Sequence, residues 1–398
     1  TIQAEKNQTA QVTISDVNIN VSGNRKAAIS TGGDGSVTIE LDGDNTAKSA
    51  AYRAGVEKNN GGNLTITDAD GDGALNAKGG AFGAGIGGGY NGSGSDITIS
   101  GNAEVTATGG SSSAGIGGGY EGNGSNITIS GNAEVTAKGS GAGIGGGDGG
   151  NGSDITISGN AKVEARGGGF AAGIGGGDGG SGSNITIAGG ANVEANGGAH
   201  GAGIGGGIIG SGSNITIAGG ANVEANGGVY GAGIGGGENG TGKDVTISTE
   251  AQVKASGGRG GAAIGGGYNG NGEITPNTDK LTNGFIAYYD PNANKGTTAP
   301  EYLLHKDGSG VHTHTTVLLK TSTEATCFNN ATVTYLCSCG AEFTTELLGT
   351  AGHKLGEYTS NNDATCEQDG TKTAKCVRYG QGGCTATDTV PDVGSKLG

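Results

Sequence analysis

A short glycine-rich phrase returns along this chain at a nearly fixed interval, and that period constrains the fold more than any other feature. Ala-Gly-Ile-Gly-Gly-Gly recurs with its isoleucine at Ile86, Ile116, Ile144, Ile174, Ile204 and Ile234. Ile264 follows in Ala-Ala-Ile-Gly-Gly-Gly, and the successive intervals are 30, 28, 30, 30, 30 and 30 residues. Upstream, Val56 lies 30 residues before Ile86 and Ile29 lies 27 before Val56. The period therefore predicts nine rungs between about residue 12 and residue 275.

Each rung carries three apolar segments separated by Gly, Ser, Asn and Asp. In one they are 114–116, 127–129 and 133–137. The apolar residues alternate with period two, so Ile127 and Ile129 face inward and Thr128 outward. Three short strands per turn, the same from turn to turn, describe an all-β chain coiled as a parallel β-helix. Coils stack about 4.8 Å apart, which gives a rod of roughly 40 Å.

Composition supports a narrow core. The chain has 94 Gly in 398 residues and contains neither Trp nor Met. Corners between short strands need left-handed backbone angles, and glycine adopts them without steric cost. A phosphate loop or dinucleotide fingerprint would need a helix after the glycines, the former with a Lys, and no copy supplies either. The formal net charge of −15 comes without a basic cluster, which argues against nucleic acid and anionic membrane as partners. No apolar run approaches the roughly 20 residues of a membrane helix. The chain starts at Thr1 without an initiator Met and reads as a mature fragment.

These motifs carry a resemblance. The phrase Ala-Gly-Ile-Gly-Gly-Gly, followed by Asn-Ile-Thr-Ile-Ser and Ala-Glu-Val-Thr-Ala, resembles the Gly-rich β-helix regions of modular surface proteins from Gram-positive bacteria. Their architecture is similar to the pectin-lyase-like right-handed β-helix. The resemblance implies right-handed coiling over residues 1–275, an extracellular location, cell-surface or secreted, and an adhesin-like or carbohydrate-binding role. After a cap and linker at 276–311, two small Cys-containing repeats resemble a second element of such proteins, at 312–352 and 353–398. The first repeat holds His314, Cys327, Cys337 and Cys339, and the second His353, Cys366, Cys376 and Cys384. His to first Cys is 13 residues and first to second Cys 10 in both, while the third spacing differs. A Cys3His zinc site in each repeat and disulfides, one of them between repeats, both remain open readings.

Candidate chemistry is sparse. The β-helix polysaccharide lyases and hydrolases gather acids and bases in one cleft, whereas the solenoid has a single histidine, His200, and few cations. Catalysis is not expected, although a fold never excludes it. No cofactor is required. Asp68-Ala-Asp70-Gly-Asp72-Gly73 matches the first half of a calcium loop, but Gly79 stands where the closing Glu belongs. An acidic turn between strands explains the same residues.

The aromatic residues fall in two columns. Four positions before the rung Ile or Val stand Tyr52, Phe82, Phe170, His200 and Tyr230, with Ser112 and Ser140 between. Four positions after stand Tyr90, Tyr120 and Tyr268, with Asp148, Asp178, Ile208 and Glu238 between. The columns are expected to flank a flat strip at Gly85 and Gly87 and to receive a glycan or a host surface protein. Stacking for stability alone is the competing explanation.

Two ladders complete the pattern. Thr98, Thr128, Thr156, Thr186, Thr216 and Thr246 repeat on one outer face, where β-propensity accounts for them as well as ice binding would. Glu164, Glu194 and Glu224 occupy one outward position in three successive rungs, with Lys162 and Lys254 bracketing them. The expected role is a non-catalytic extracellular binding module; a passive stalk and a polysaccharide-active enzyme are the alternatives.

Overall fold

The computed structural model describes residues 1–248, 251–258, 261–270, 301–303, 317–323, 331–337, 342–347, 355–377 and 385–396. Contacts divide the chain into Thr1–Thr313 and His314–Gly398.

In the first unit the three apolar segments of each rung become three parallel sheets. One sheet collects the strands that carry the hexapeptide, from Ile2–Gln3 through Ile86–Gly87 and Ile116–Gly117 to Ile264–Gly265. A second holds the nine strands from Thr9–Ser15 to Gly242–Ile247. A third runs from Asn18–Asn20 to Gln252–Ser256 and ends in an antiparallel strand, Glu301–Leu303, with Ala255 opposite Tyr302. Register joins equivalent residues of neighbouring coils: Ile86 pairs with Ile116, Ile97 with Ile127 and Val105 with Val135. The result is a β-solenoid of about nine turns, with no helix among the described residues.

One core runs the length of the rod. Ile86, Ile116, Ile144, Ile174, Ile204 and Ile234 are all fully buried, as expected, and so are Ile97, Ile99 and Ala107 from the other two sheets. Small Ala and Val on the third sheet pack against mostly Ile on the others, and no aromatic ring is among the described buried core residues. From Gly94–Gly101 onward the third residue of each second-sheet strand is left-handed, Asp96, Asn126, Asp154, Asn184, Asn214 or Asp244, with φ between 49° and 54°. Asn and Asp tolerate that region better than other side-chain residues. Their side chains bond from coil to coil, Asn126 Nδ2 to Asp96 Oδ1 at 2.7 Å and Asn184 Nδ2 to Asp154 Oδ1 at 2.9 Å.

The solenoid starts earlier than the period implies. Ile2–Gln3 already pairs with the strand Ile29–Gly32, but opposite Thr31 and Gly32 rather than opposite Ile29.

The glutamate ladder forms in register, Glu164 beside Glu194 and Glu194 beside Glu224. Its cations differ from those the spacing suggests. Arg166 bonds Glu164 at 2.5 Å and lies 3.9 Å from Glu194, while Lys162 turns back to Glu134 at 3.6 Å. Lys162 and Arg166 both lie two residues from Glu164 on its outward face, but Lys162 stands directly opposite Glu134 of the preceding coil and pairs there, which leaves Glu164 to Arg166. Lys254 pairs with Glu224 at 3.2 Å, as expected.

The second unit contains two three-stranded antiparallel sheets. Val317–Thr323, Ala331–Cys337 and Glu342–Leu347 form one; Thr359–Ser360, Thr371–Lys375 and Thr387–Pro391 form the other. Cys376 is buried against Ala386 and Cys366 is exposed. His314, Cys327, Cys339, His353 and Cys384 lie outside the described residues, as does the side chain of Cys337.

Candidate binding ridge

The loops on either side of each hexapeptide strand set the geometry of the aromatic columns. Ala84 N donates to Gly88 O at 2.9 Å, which folds Ala-Gly-Ile-Gly-Gly into a tight turn. Gly87 has φ of 132°, and a Cβ there would stand 2.1 Å from Gly117 O of the next coil. A side chain at this position meets both an unfavourable backbone angle and a neighbouring backbone, so glycine is obligatory.

The strip is therefore not an open floor between two aromatic walls. Gly85 and Gly87 are buried. The loops reach across the strip and bond to each other diagonally, one coil apart. Tyr90 N donates to Tyr52 O at 2.9 Å, Tyr120 N to Phe82 O at 3.3 Å and Asp148 N to Ser112 O at 2.9 Å. Further along, Ile208 N bonds Phe170 O, Glu238 N bonds His200 O and Tyr268 N bonds Tyr230 O. The two columns become one ridge, zipped over the glycine strip.

The ridge gathers the eight candidate ring residues into two clusters. In the first, Tyr52 stacks on Phe82 with centroids 5.7 Å apart, and Tyr90 on Tyr120 at 5.6 Å and 12°. The two stacks meet edge to face, Tyr52 with Tyr90 at 5.3 Å and Phe82 with Tyr120 at 5.6 Å. In the second, His200 lies between Phe170 at 4.8 Å and Tyr230 at 5.2 Å, and Tyr230 meets Tyr268 at 5.6 Å. His200 Nδ1 contacts Glu238 Oε2, so this coil pairs an acid with a base across the zipper. Tyr52, Tyr90, Phe170 and Tyr268 still expose 37–49% of their surface. Tyr52 and Phe82 hold φ of 71° and 67°, angles that bulky residues avoid.

Between the clusters the ridge turns polar. Ser112, Ser140, Asp148 and Asp178 replace the rings, and Asp148 Oδ1 is buried with no hydrogen-bond partner. Burial raises the Asp148 carboxyl above its ordinary pKa; a Ser112 hydrogen bond opposes the rise and the Asp178 charge adds to it. The loop over Ser140 is also short. Five residues, 139–143, join the third-sheet strand to Ile144, against seven at 109–115 and at 167–173.

The aspartate triplet lies away from the ridge, in the turn between Leu64–Asp68 and Ala74–Lys78. One oxygen each of Asp68, Asp70 and Asp72 fall within 4.8 Å of one another. Asp68 is buried, and its carboxylate already accepts the amides of Asp70, Gly71 and Gly73 at 3.0–3.2 Å. Burial alone would raise its pKa, but the amides of Gly71 and Gly73, together with Asp70, outweigh that and lower it. Asp72 is shifted up, chiefly by the Asp70 charge. The triplet thus works as a turn whose first carboxylate ties down the backbone. Asp70 and Asp72 are the exposed oxygens it offers a hard cation.

No curated protein and no solved structure matches the chain. Residues 97–120, 127–148, 155–178 and 215–238 match the Beta helix repeat family, and all four segments lie within the stacked coils of the solenoid.

Proposed function

We propose that the chain is a non-catalytic binding module of a bacterial cell-surface or secreted protein, presenting the solenoid ridge to a glycan or a host protein. The observation that carries this reading is that the aromatic residues of the nine described coils are confined to one ridge, where four of the rings stay more than a third exposed. A ridge of that kind offers apolar contact at small entropic cost. The zipper supports a second reading, a passive stalk, because it gives the rings a structural task. A glycan and host-protein array, combined with a reducing-end release assay, separates the classes. Binding without release is expected; release of sugar ends points to an enzyme, and neither signal to a stalk. Calcium is a proposed ligand of Asp70 and Asp72, seated on the Asp68 turn. Calorimetry on calcium-stripped protein should show heat that disappears in Asp70→Ala; no heat in the wild type ends the idea.

A further inference from the structure

We infer that Tyr90 and Tyr120 form an oxidative cross-linking site, at which a peroxidase fed with hydrogen peroxide joins two neighbouring coils by a carbon–carbon bond between the rings.

The repeat places the two tyrosines for it. They stand four residues after Ile86 and Ile116, which pair directly in the first sheet. Neighbouring coils are about 4.8 Å apart, so side chains at equivalent positions lie alongside each other. The two rings do so nearly in parallel, with centroids 5.6 Å apart and planes 12° from each other. Parallel rings hung from equivalent positions set like carbons side by side, ortho beside ortho. The other tyrosine contacts among the described ring residues lack this arrangement. Tyr52 meets Tyr90 edge to face at 87°, and Tyr230 meets Tyr268 at 54°. Access is open as well: Tyr90 is 47% exposed and Tyr120 is half-buried.

An oxidant finds few competing side chains on the rod. Cys and Met are the usual first targets of oxidation, and Trp is the aromatic rival of Tyr. The chain has no Trp or Met, and its six Cys all lie at 327 or beyond, in the second unit. Tyr120 also has a proton acceptor beside it. The Glu121 charge, and a hydrogen bond between the phenol and that carboxylate, raise the Tyr120 hydroxyl above its ordinary pKa. The backbone fixes this neighbour: Glu121 holds φ of 55° and its amide donates to Asp148 O at 2.8 Å. A phenol that loses an electron expels its hydroxyl proton, and a carboxylate within hydrogen-bond reach takes it up.

The step balances. Each ring gives up one electron and its hydroxyl proton and becomes a phenoxyl radical. The two radicals couple through one ortho carbon each. The hydrogens on those carbons then leave as protons while protons return to the two oxygens, which restores both phenols. The pair has lost two electrons and two protons, and hydrogen peroxide takes them up and is reduced to two molecules of water. The product ties the loop after Ile86 to the loop after Ile116 covalently, where hydrogen bonds alone held the coils together.

The test uses the full chain with a haem peroxidase and limiting hydrogen peroxide, and the monomer is isolated by size afterwards. N-acetyltyrosine amide in a parallel tube shows that the oxidant is active. A glutamate-specific protease cutting the unfolded monomer at Glu57, Glu104 and Glu121 leaves Tyr90 and Tyr120 as the single tyrosines of two separate peptides. A joined peptide is expected, lighter than the sum of the two by two hydrogen atoms and carrying the blue fluorescence of coupled phenols. Tyr120→Phe keeps the ring stack and should abolish that peptide, while Tyr230→Phe should leave its yield unchanged. Glu121→Gln should slow its formation by about tenfold, less than a positioned base usually contributes because Glu121 is exposed. Absence of the joined peptide while the tyrosine amide couples, coupling only between chains, or undiminished fluorescence of the Tyr120→Phe monomer overturns the site. An unchanged rate in Glu121→Gln overturns the part given to Glu121.

Discussion

The first coils and the later ones close the same strip by opposite means. From Ile86 onward the residues after the rung isoleucine are glycines, with φ of 127–137° at the first of them, and the closure is backbone on backbone. Around Val56 the corresponding residues are Glu57, Lys58, Asn59 and Asn60, and side chains do the closing. Glu57 Oε2 accepts Ala54 N at 3.2 Å, a donor that in the next coil bonds Gly88 O. Glu57 Oε1 accepts from Arg53 and Asn59, Thr31 donates to Asn60 Oδ1 at 2.8 Å, and Asn60 Nδ2 donates to the carbonyls of Gly35, Gly62 and Asn63. Lys58 Nζ reaches Asn60 O at 2.7 Å; burial pushes its pKa down and the Asp96 charge partly opposes the shift. Thr31, Asn45, Ser49, Glu57, Lys58, Asn60 and Asp68 are buried in this region, against Ser113 alone among the described buried polar residues further on. The contrast teaches that the repeat fixes the stacking but not the chemistry of the corner. A polar network can replace glycine if every buried group finds a partner.

Substitutions should separate the two solutions. The largest effect is expected for Gly145→Ala, whose φ is 132° and whose Cβ would lie 2.0 Å from Gly175 O. Backbone strain and overpacking together should cost about 4 kcal/mol in urea unfolding. A loss below about 1 kcal/mol would mean that the glycine closure is dispensable. Next comes Ile116→Ala, which removes a fully buried side chain and should cost about 3 kcal/mol. In the polar region Asn60→Ala should cost about 2 kcal/mol by orphaning several buried partners. Wild-type stability in that variant would show that the network is decoration on a stack already closed.

The smallest effect compares two aspartates. The native pKa of Asp68 lies below the ordinary aspartate value of 3.8, so its contribution is present above that pH and is lost as pH falls through the lower native value. Asp148 has the opposite shift: its ionised form is penalised in the native state, so the penalty is present above its raised native pKa and fades on acidification. Asp148→Asn should therefore be slightly more stable than wild type at neutral pH. Asp68→Asn should be less stable there, and the deficit should shrink toward acid. Parallel pH profiles for the two variants would contradict the assignments.

Much of the fold is legible in the sequence because a 30-residue period with strand alternation admits few alternatives. The isoleucine stack, the three strands per coil and the glutamate register all follow from it. Ile2–Gln3 escapes because it pairs with Thr31 and Gly32, outside the hexapeptide phase. The zipper escapes for a different reason. Its partners lie 36 or 38 residues apart, on a diagonal between coils, while columns read within one rung show only flanking rings. The signal is nonetheless present as matched chemistry along that diagonal: Tyr52 with Tyr90, Ser112 with Asp148, His200 with Glu238. The buried state of Gly85 and Gly87 then follows from the closure, not from their own composition.

The pairing of each coil with its immediate neighbours has a mechanical consequence. The inter-strand hydrogen bonds point along the rod, so tension on its ends loads coils in series, and the weakest should yield first. Each released coil gives up about 5 Å of rod and frees about 100 Å of chain. Under load the solenoid should behave as a tether that lengthens stepwise, some twentyfold per coil, while the coils not yet opened keep their ridge intact.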